Sequence, residues 1–313
     1  MVYWQDIQQF GLVIRRSETE IKRLNKGSFR RADKEAEMYF LDKRVQVICD
    51  ELKRLKVKKR FAVPNWKYKE GNFIRPEEAE KEGTDWKVFD CQTMHWYGKD
   101  RHYWFRTTYQ VPKELDGARM WLHVCTQIDE WDDAKNPQFL LFVNGEVVQG
   151  IDMNHRDVFL CSQAKAGEEL VLDLQAYTGT LHKEFHLIVE MQEIDAKIEK
   201  LYYDLWVPLA AFSRMEEDDR NRKEIQEILN TAVNFLDLRT PYSEEFYQTV
   251  SEATDYLAQA LYTEKAGYRD VIATCIGHTH IDVAWWWTVA QTREKVCRSF
   301  ATVLKLMEEY PNY

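Results

Sequence analysis

Three side chains with metal-ligand chemistry stand at alternate positions in the stretch G-H-T-H-I-D-V-A-W-W-W-T: His278, His280 and Asp282. In extended chain, residues two apart point to the same side, so two imidazoles and a carboxylate converge. Neutral imidazole nitrogen and carboxylate oxygen are the donors of a catalytic zinc that keeps one coordination position for substrate. The plain alternative is a set of polar strand-end residues near solvent. With 8 histidines in the whole chain, three ligand-type side chains alternating on one face favour a metal site. Trp285, Trp286 and Trp287 follow directly. The chain is rich in such rings, with 11 Trp and 16 Tyr. Flat apolar rings with a polar edge fill cores, and they are also surfaces on which sugars stack.

These residues need an element to hold them. The apolar run Val271, Ile272, Ala273, Cys275 and Ile276 is short and β-branched enough for a buried strand, and Gly277 closes it. The ligand-type residues then sit at the carboxyl end of that strand, where α/β folds keep their sites. Beyond them, Val296, Phe300, Val303, Leu304 and Met307 fall at i, i+4, i+7, i+8 and i+11, one face of a helix. Residues 271–310 thus read as a single β-loop-α unit. A lone unit of this kind cannot bury a core, so the reading expects a truncated chain whose further units lie beyond Tyr313.

Upstream, the pattern changes three times. Residues 3–24 carry Trp4, Ile7, Phe10, Ile14, Ile21 and Leu24 at helical spacing, and 33–55 carry Met38, Leu41, Val45, Ile48, Leu52 and Leu55. Residues 61–84, broken by Pro64, Gly71, Pro76 and Gly83, read as an irregular connector. From Trp86 to Met191 the period is two: Tyr103, Phe105, Thr107 and Tyr109 alternate, and 139–143 is apolar almost throughout. Asn144-Gly145 is a hairpin turn signal. Several short strands separated by glycine turns predict a β-sandwich, jelly-roll-like, which either packs as a lid or contacts carbohydrate. Asp152, Asn154 and His155 cluster after one strand; metal or sugar binding is one reading, and a hydrogen-bonded loop network is the commoner explanation. Residues 194–262 are helical again, with Pro241 a break and Ser243 a helix cap.

The expected architecture is therefore multidomain α+β. Residues 1–85 form a helical arm and connector, 86–191 the β-sandwich, 192–264 a helical linker, and 265–313 the first βα unit of a truncated α/β domain. At 313 residues two or three domains are ordinary.

Composition excludes several classes. A net charge of −9 with scattered Lys and Arg argues against nucleic acid, and the basic run 53–60 reads as a solvated helix end. No stretch is long and apolar enough for a membrane span, and the first ten residues lack the apolar core of a signal peptide. Six widely separated cysteines without a C-x-x-C pair fit reduced thiols, hence a cytoplasmic protein.

The motif His278–Trp287, H-T-H-I-D-V-A-W-W-W, resembles the signature H-x-H-x-D-x-A-W-x-W of glycoside hydrolase family 38, the α-mannosidases. Glu294-Lys295, Arg298 and the closing M-E-E-Y-P-N-Y continue the resemblance. F-V-N-G-E-V-V-Q-G-I-D-M-N-H-R-D, residues 142–157, resembles the sandwich domain of that family's cytoplasmic and vacuolar branch. The resemblance implies a catalytic domain like a seven-stranded α/β barrel, with one Zn2+ held in part by His280 and Asp282. It implies Trp285 and Trp287 as substrate-binding aromatics against the mannose ring, and His278 behind the ligands rather than on the metal.

The substrates implied are α-mannoside oligosaccharides, hydrolysed with retention. Retention requires a nucleophilic and an acid/base carboxylate about 5–5.5 Å apart. The resemblance puts the nucleophile, a zinc-ligating aspartate, and a further histidine far downstream of Asp282. No catalytic residue is therefore assigned in this chain, and the 313 residues alone are expected to be inactive. Three rival readings stand beside this one. The metallo-β-lactamase-type motif H-x-H-x-D-H lacks its sixth residue here, which is Val283. An amidohydrolase-type enzyme explains H-x-H but neither Asp282 nor the tryptophans. A non-catalytic sugar-binding module on 86–191 stays open. Linkage preference is not readable, and self-association as a homo-oligomer is compatible with the sequence without being indicated by it.

Overall fold

The structure, a computed structural model, describes residues 28–81, 85–128, 135–265 and 280–311, with side chains from residue 40 onward. The helix expected over 3–24, the strand expected over 271–276, and His278 lie outside the described residues. The chain is mixed helix and sheet, with several antiparallel sheets. Among the described residues it divides into two compact units, 28–51 with 202–265, and 52–201 with 280–311.

The first unit is helical. It contains most of α1 (Ser28–Leu55) and the body of α3 (Ala196–Phe212). It also holds α4 (Arg220–Asn234) and α5 (Glu244–Leu257), which runs on as a π-helical segment to Lys265. Ile225, Leu229, Ala232 and Val233 of α4 and Phe246, Val250, Ala253 and Leu257 of α5 are buried, the i, i+4, i+7 stripes that 3.6 residues per turn dictate. Ser243 caps α5, its Oγ accepting from the Phe246 N–H at 3.1 Å. Arg44 of α1 donates to Asn230 and Asn234 of α4 at 2.7 and 2.6 Å, tying those two helices side by side.

The second unit is built on two sheets. One has the order β1-β12-β6-β9 (Val57–Ala62, Ile188–Ile194, Met120–Cys125, Asp157–Cys161). The other has the order β3-β2-β5-β10-β7-β8 (Lys87–Asp90, Asn65–Glu70, His102–Gln110, Glu169–Tyr177, Gln138–Val143, Glu146–Ile151). A short ribbon pairs β4 (Trp96–Gly98) with β11 (Lys183–Phe185). Phe105, Leu141 and Leu174 of the six-stranded sheet share one core cluster with Leu122, Val158 and Met191 of the four-stranded sheet. Trp96 lies in this cluster, its ring centroid 5.2–5.6 Å from those of Tyr103, Phe105, Phe139 and Phe185. Asn144 and Gly145 turn β7 into β8 with φ of 52° and 87°, the two left-handed residues a tight hairpin demands.

The stretch read as an irregular connector is ordered differently. Strand β1 extends to Ala62, β2 follows at Asn65–Glu70, and Pro76–Lys81 is a helix, α2. Each strand joins a different sheet, so Pro64 marks the point where the chain switches layers rather than a loss of structure.

The six-stranded sheet is covered on its second face too. Trp104, Leu140 and Phe142 pack there with Phe73, Ala79 of α2 and Ala301 of a carboxyl-terminal helix, α6 (Val289–Glu309). Burial on both faces is why the 139–143 run shows no alternation. Asp173, fully buried on this face, is held by Arg106 through Nε and Nη2 at 2.7 and 3.1 Å and by the Trp104 indole N–H at 2.6 Å. A buried carboxylate is tolerated only with such partners.

Helix α6 departs from its sequence reading in one respect. Its buried residues are Gln291, Arg298, Ala301 and Thr302, whereas Phe300, Leu304 and Met307 are 52 %, 62 % and 51 % exposed. Small Ala301 meets Trp104, Leu140 and Phe142, and around it Gln291, Arg298 and Thr302 meet polar groups of the sheet, namely His102, Tyr177 and the Gly150 carbonyl. Thr288 caps the helix, its Oγ1 accepting from the Gln291 N–H, and Pro311 follows its end at Tyr310.

Candidate functional site

Of the three ligand-type residues, His280 and Asp282 are described, and the structure brings them together. His280 Nε2 lies 3.1 Å from Asp282 Oδ1, with the two side chains 73 % and 44 % exposed. Residues 280–288 are irregular rather than strand, yet the i, i+2 geometry still sets both groups on one side. Two ligands of a tetrahedral zinc, each about 2.0–2.2 Å from the metal, stand roughly 3.3 Å apart. The donor types and their separation fit one edge of such a site. Among the described residues no group of three His, Cys, Asp or Glu could complete it. The described residues thus hold two donors of the types and separation such a site uses.

The tryptophans form an exposed cluster beside the pair. Trp285 is 67 % exposed, and its ring centroid lies 6.1 Å from those of both Trp286 and Trp287. Trp287 is more enclosed. Its indole N–H donates to Thr292 Oγ1 at 3.2 Å, and Lys295 Nζ sits 4.6 Å over its ring. Thr292 Oγ1 in turn reaches the carbonyl of Val283, adjacent to Asp282. A shallow recess lined by Gln138, Tyr177, Trp287, Gln291, Lys295 and Arg298 opens between this loop and the six-stranded sheet.

Sequence reading missed what holds the loop. Glu294, on the second turn of α6, meets His102 of β5, with Nε2 3.0 and 3.1 Å from its two carboxylate oxygens. Asn72 donates to the same carboxylate at 3.1 Å, and Arg298 Nη1 lies 3.6 Å away. Burial pushes the Glu294 carboxyl upward, but His102, Arg298 and Asn72 outweigh it and hold the group below the usual range. Burial pulls the Arg298 guanidinium down, and Glu294, Asp152 and Tyr177 offset part of that.

The Gln291 side-chain nitrogen position lies 2.9 Å from His102 Nε2, while its Oε1 is buried without a partner. With the His102 Nε2–H directed at Glu294, two donors would face each other there. Turning the amide over would let Oε1 only share the one Nε2 hydrogen with Glu294 and would leave the amide nitrogen in the partnerless position, so Gln291 stays the poorly matched member of this cluster in either orientation. Farther along α6, the Thr302 hydroxyl shares its one hydrogen between the Arg298 carbonyl at 2.9 Å and the Gly150 carbonyl at 3.2 Å. A Cβ at Gly150 would come within 2.6 Å of the Arg298 carbonyl, so the absent side chain is what lets helix and strand touch. The only signal in the sequence was a Glu294/Arg298 pair at i, i+4, which any solvated helix carries.

Asp152, Asn154 and His155 form the loop network read from the sequence. Asp152 Oδ1 accepts from the Asn154 and His155 backbone N–H groups at 2.8 and 2.9 Å and faces His155 Nδ1 at 3.0 Å. Burial would raise the Asp152 carboxyl, but His155 and the two backbone donors bring it below its ordinary value.

Residues 270–313 match the family described as glycosyl hydrolases family 38, N-terminal domain. Similar proteins include Alpha-mannosidase 2C1 of Homo sapiens, 25 % identical over 229 residues, covering 67 % of this chain and 20 % of that protein. Alpha-mannosidase of Saccharomyces cerevisiae is 26 % identical over 132 residues, 39 % of this chain and 11 % of its own length. Alpha-mannosidase G of Dictyostelium discoideum is 20 % identical over 233 residues, 68 % and 20 %. The chain thus spans at most about a fifth of the length of these relatives. Among solved structures, a Beta-glucuronidase of Faecalibacterium prausnitzii superposes on 45 % of this chain and 32 % of its own, with a TM-score of 0.30 and 10 % identity.

Proposed function

We infer, with family 38 of the glycosyl hydrolases as the family to which residues 270–313 belong, that the whole protein is an α-mannosidase acting on terminal α-mannosides. The observation that carries this reading is the pairing of His280 with Asp282 inside the matched segment, beside an exposed tryptophan cluster. His280 Nε2 and Asp282 Oδ1 would be two ligands of one Zn2+, with His278 behind them. When bound, the metal supplies Lewis-acid orientation of sugar hydroxyls. Trp285 offers an open ring face to the apolar side of a mannose ring, and Trp287, restrained by Thr292 and Lys295, stands beside it at 76° to that ring. The nucleophile and the acid/base belong to chain beyond Asp282 in this reading.

The two facing sheets act here as a jelly-roll-like sandwich, and residues 265–313 as the first βα unit of a seven-stranded barrel-like catalytic domain. The five described cysteines are free, and no helix among the described residues is long and apolar enough to cross a membrane. Both facts support a reducing, cytoplasmic setting.

The test is hydrolysis of an aryl α-mannoside by the full-length protein, with and without a chelator. Release that the chelator abolishes, that added zinc restores, and that is lost in His280→Ala and Asp282→Ala is the expected outcome. Full-length protein that is folded and zinc-loaded yet inert towards every α-mannoside would refute the reading. Mannoside binding by the sandwich without turnover would favour the sugar-binding module instead.

A further inference from the structure

We propose that His102 is a positioning residue for the metal-type loop: it clamps Glu294 and so fixes the start of α6, on which residues 280–288 are mounted. The proposal rests on the mannosidase reading for its catalytic consequence, though not for its geometry.

A helix normally lies on a sheet by burying its apolar stripe, and small slips along such a contact cost little. Helix α6 buries Ala301 against Trp104, Leu140 and Phe142, but Phe300, Leu304 and Met307 face away and the rest of its buried side is polar. Its position is therefore set by contacts that tolerate no slip. Near the start, Glu294 is gripped by His102 and Asn72. Two turns on, Thr302 reaches the Gly150 carbonyl against a strand made bare by glycine. A shift of one turn, about 5.4 Å, would break both sets at once. Buried polar contacts of this kind contribute little net stability and much registration.

The loop is attached to the fixed end. Thr292, two residues before Glu294, joins the Trp287 indole and the Val283 carbonyl. Lys295, one residue after it, lies over the Trp287 ring. Contacts therefore run from β5 through His102 and Glu294 to the first turns of α6, then to Val283, next to Asp282. His102 and Glu294 are separated by 192 residues of sequence, so this clamp registers the start of α6 on the sheet, while Lys135, with Nζ 4.8 Å over the Trp286 ring, touches the loop directly. His102 meets α6 at Glu294 and at Gln291, and the ion-paired Glu294 is the stronger of the two contacts.

The experiment uses the full-length protein and four variants: His102→Ala, His102→Gln, Glu294→Ala and the double variant His102→Ala/Glu294→Ala. Hydrogen–deuterium exchange is followed on peptides covering 280–292, with peptides in β7 and β10 as controls, alongside kcat and KM for an aryl α-mannoside. His102→Ala is expected to speed exchange over 280–292 by about 10- to 100-fold, the effect of one lost charge-assisted hydrogen bond, and to leave the controls unchanged. His102→Gln keeps an N–H donor and should stay within about threefold of wild type. The double variant should match the single ones, because the two residues act as one unit. Turnover should fall in kcat more than it rises in KM.

Unchanged exchange in His102→Ala, acceleration spread equally over the controls, or failure of Gln to rescue would each overturn the proposal. Should His102→Ala not fold, Asn72→Ala removes only the outer hydrogen bond to Glu294 and predicts the same local acceleration, about 3- to 10-fold. Wild-type protein that lacks α-mannoside turnover but shows this exchange pattern defeats the mannosidase reading alone. Active protein with no effect of His102 defeats the positioning role alone.

Discussion

Gly150→Ala is the substitution whose sign separates this account from its alternatives. Gly150 has no left-handed φ, so its backbone suits alanine. At such a site the exchange ordinarily stabilises by about 0.4–1 kcal/mol, because the unfolded chain loses freedom. Here the added Cβ would stand 2.6 Å from the Arg298 carbonyl oxygen, 2.8 Å from its Cβ and 2.9 Å from its carbonyl carbon, against an ordinary contact of 3.4 Å or more. The obstacle is mainly backbone, so no rotamer change relieves it. Helix α6 must retreat by roughly 0.8 Å, and overpacking on that scale costs about 1–3 kcal/mol. The same retreat stretches the 3.2 Å contact from Thr302 to the Gly150 carbonyl past its useful range, and because the hydroxyl keeps the Arg298 carbonyl at 2.9 Å the further cost is only about 0.5 kcal/mol. Net destabilisation of about 0.5–3 kcal/mol is the prediction. Urea denaturation followed by tryptophan fluorescence measures it, with exchange over 289–309 locating the loss. Gly150→Ala protein as stable as wild type, or more so, would show that α6 does not rest on β8 and would refute the reasoning.

Other perturbations follow from the same structure. Asp173→Ala leaves Arg106 and the Trp104 indole without their buried partner, and a loss of about 3–5 kcal/mol in urea denaturation is expected; a loss under about 1 kcal/mol would contradict the burial argument. His123 sits 2.6 Å from Asp157; burial pulls its pKa down, but the hydrogen bonds to Asp157 and Cys125 carry it from 6.5 up to about 9. A raised folded pKa means that the pair's stabilisation is full below pH 6.5 and is lost as pH rises through about 9. The stability gap between wild type and Asp157→Asn should close over that window, and a gap independent of pH would contradict it.

Local signals in the sequence translated into structure where neighbours along the chain decide the outcome. The alternation at Tyr103, Phe105 and Tyr109 became a strand, Asn144-Gly145 a tight hairpin, and Ser243 a helix cap. The pattern of β1, V-K-K-R-F-A, carries too much charge to read as a strand, and it forms because β12 supplies Glu193 directly opposite Lys59 and Glu190 diagonally across from Arg60. The i, i+4, i+7 stripe of α6 correctly predicted a helix but not which side packs. That choice depends on Gly150 and His102, more than a hundred residues away. In the site, the short spacing of His280 and Asp282 was enough to bring them together. The Glu294 clamp joins distant strands and helices, and pairings of that kind leave no periodic trace in one sequence.

The most direct test of the central claim is the stereochemistry of hydrolysis of an aryl α-mannoside by the zinc-loaded full-length protein, followed by proton NMR before mutarotation. The account predicts that α-mannose appears first, as double displacement requires, and that none appears when His280 or Asp282 is replaced. First release of β-mannose, or no release from a folded, zinc-loaded protein, would contradict it.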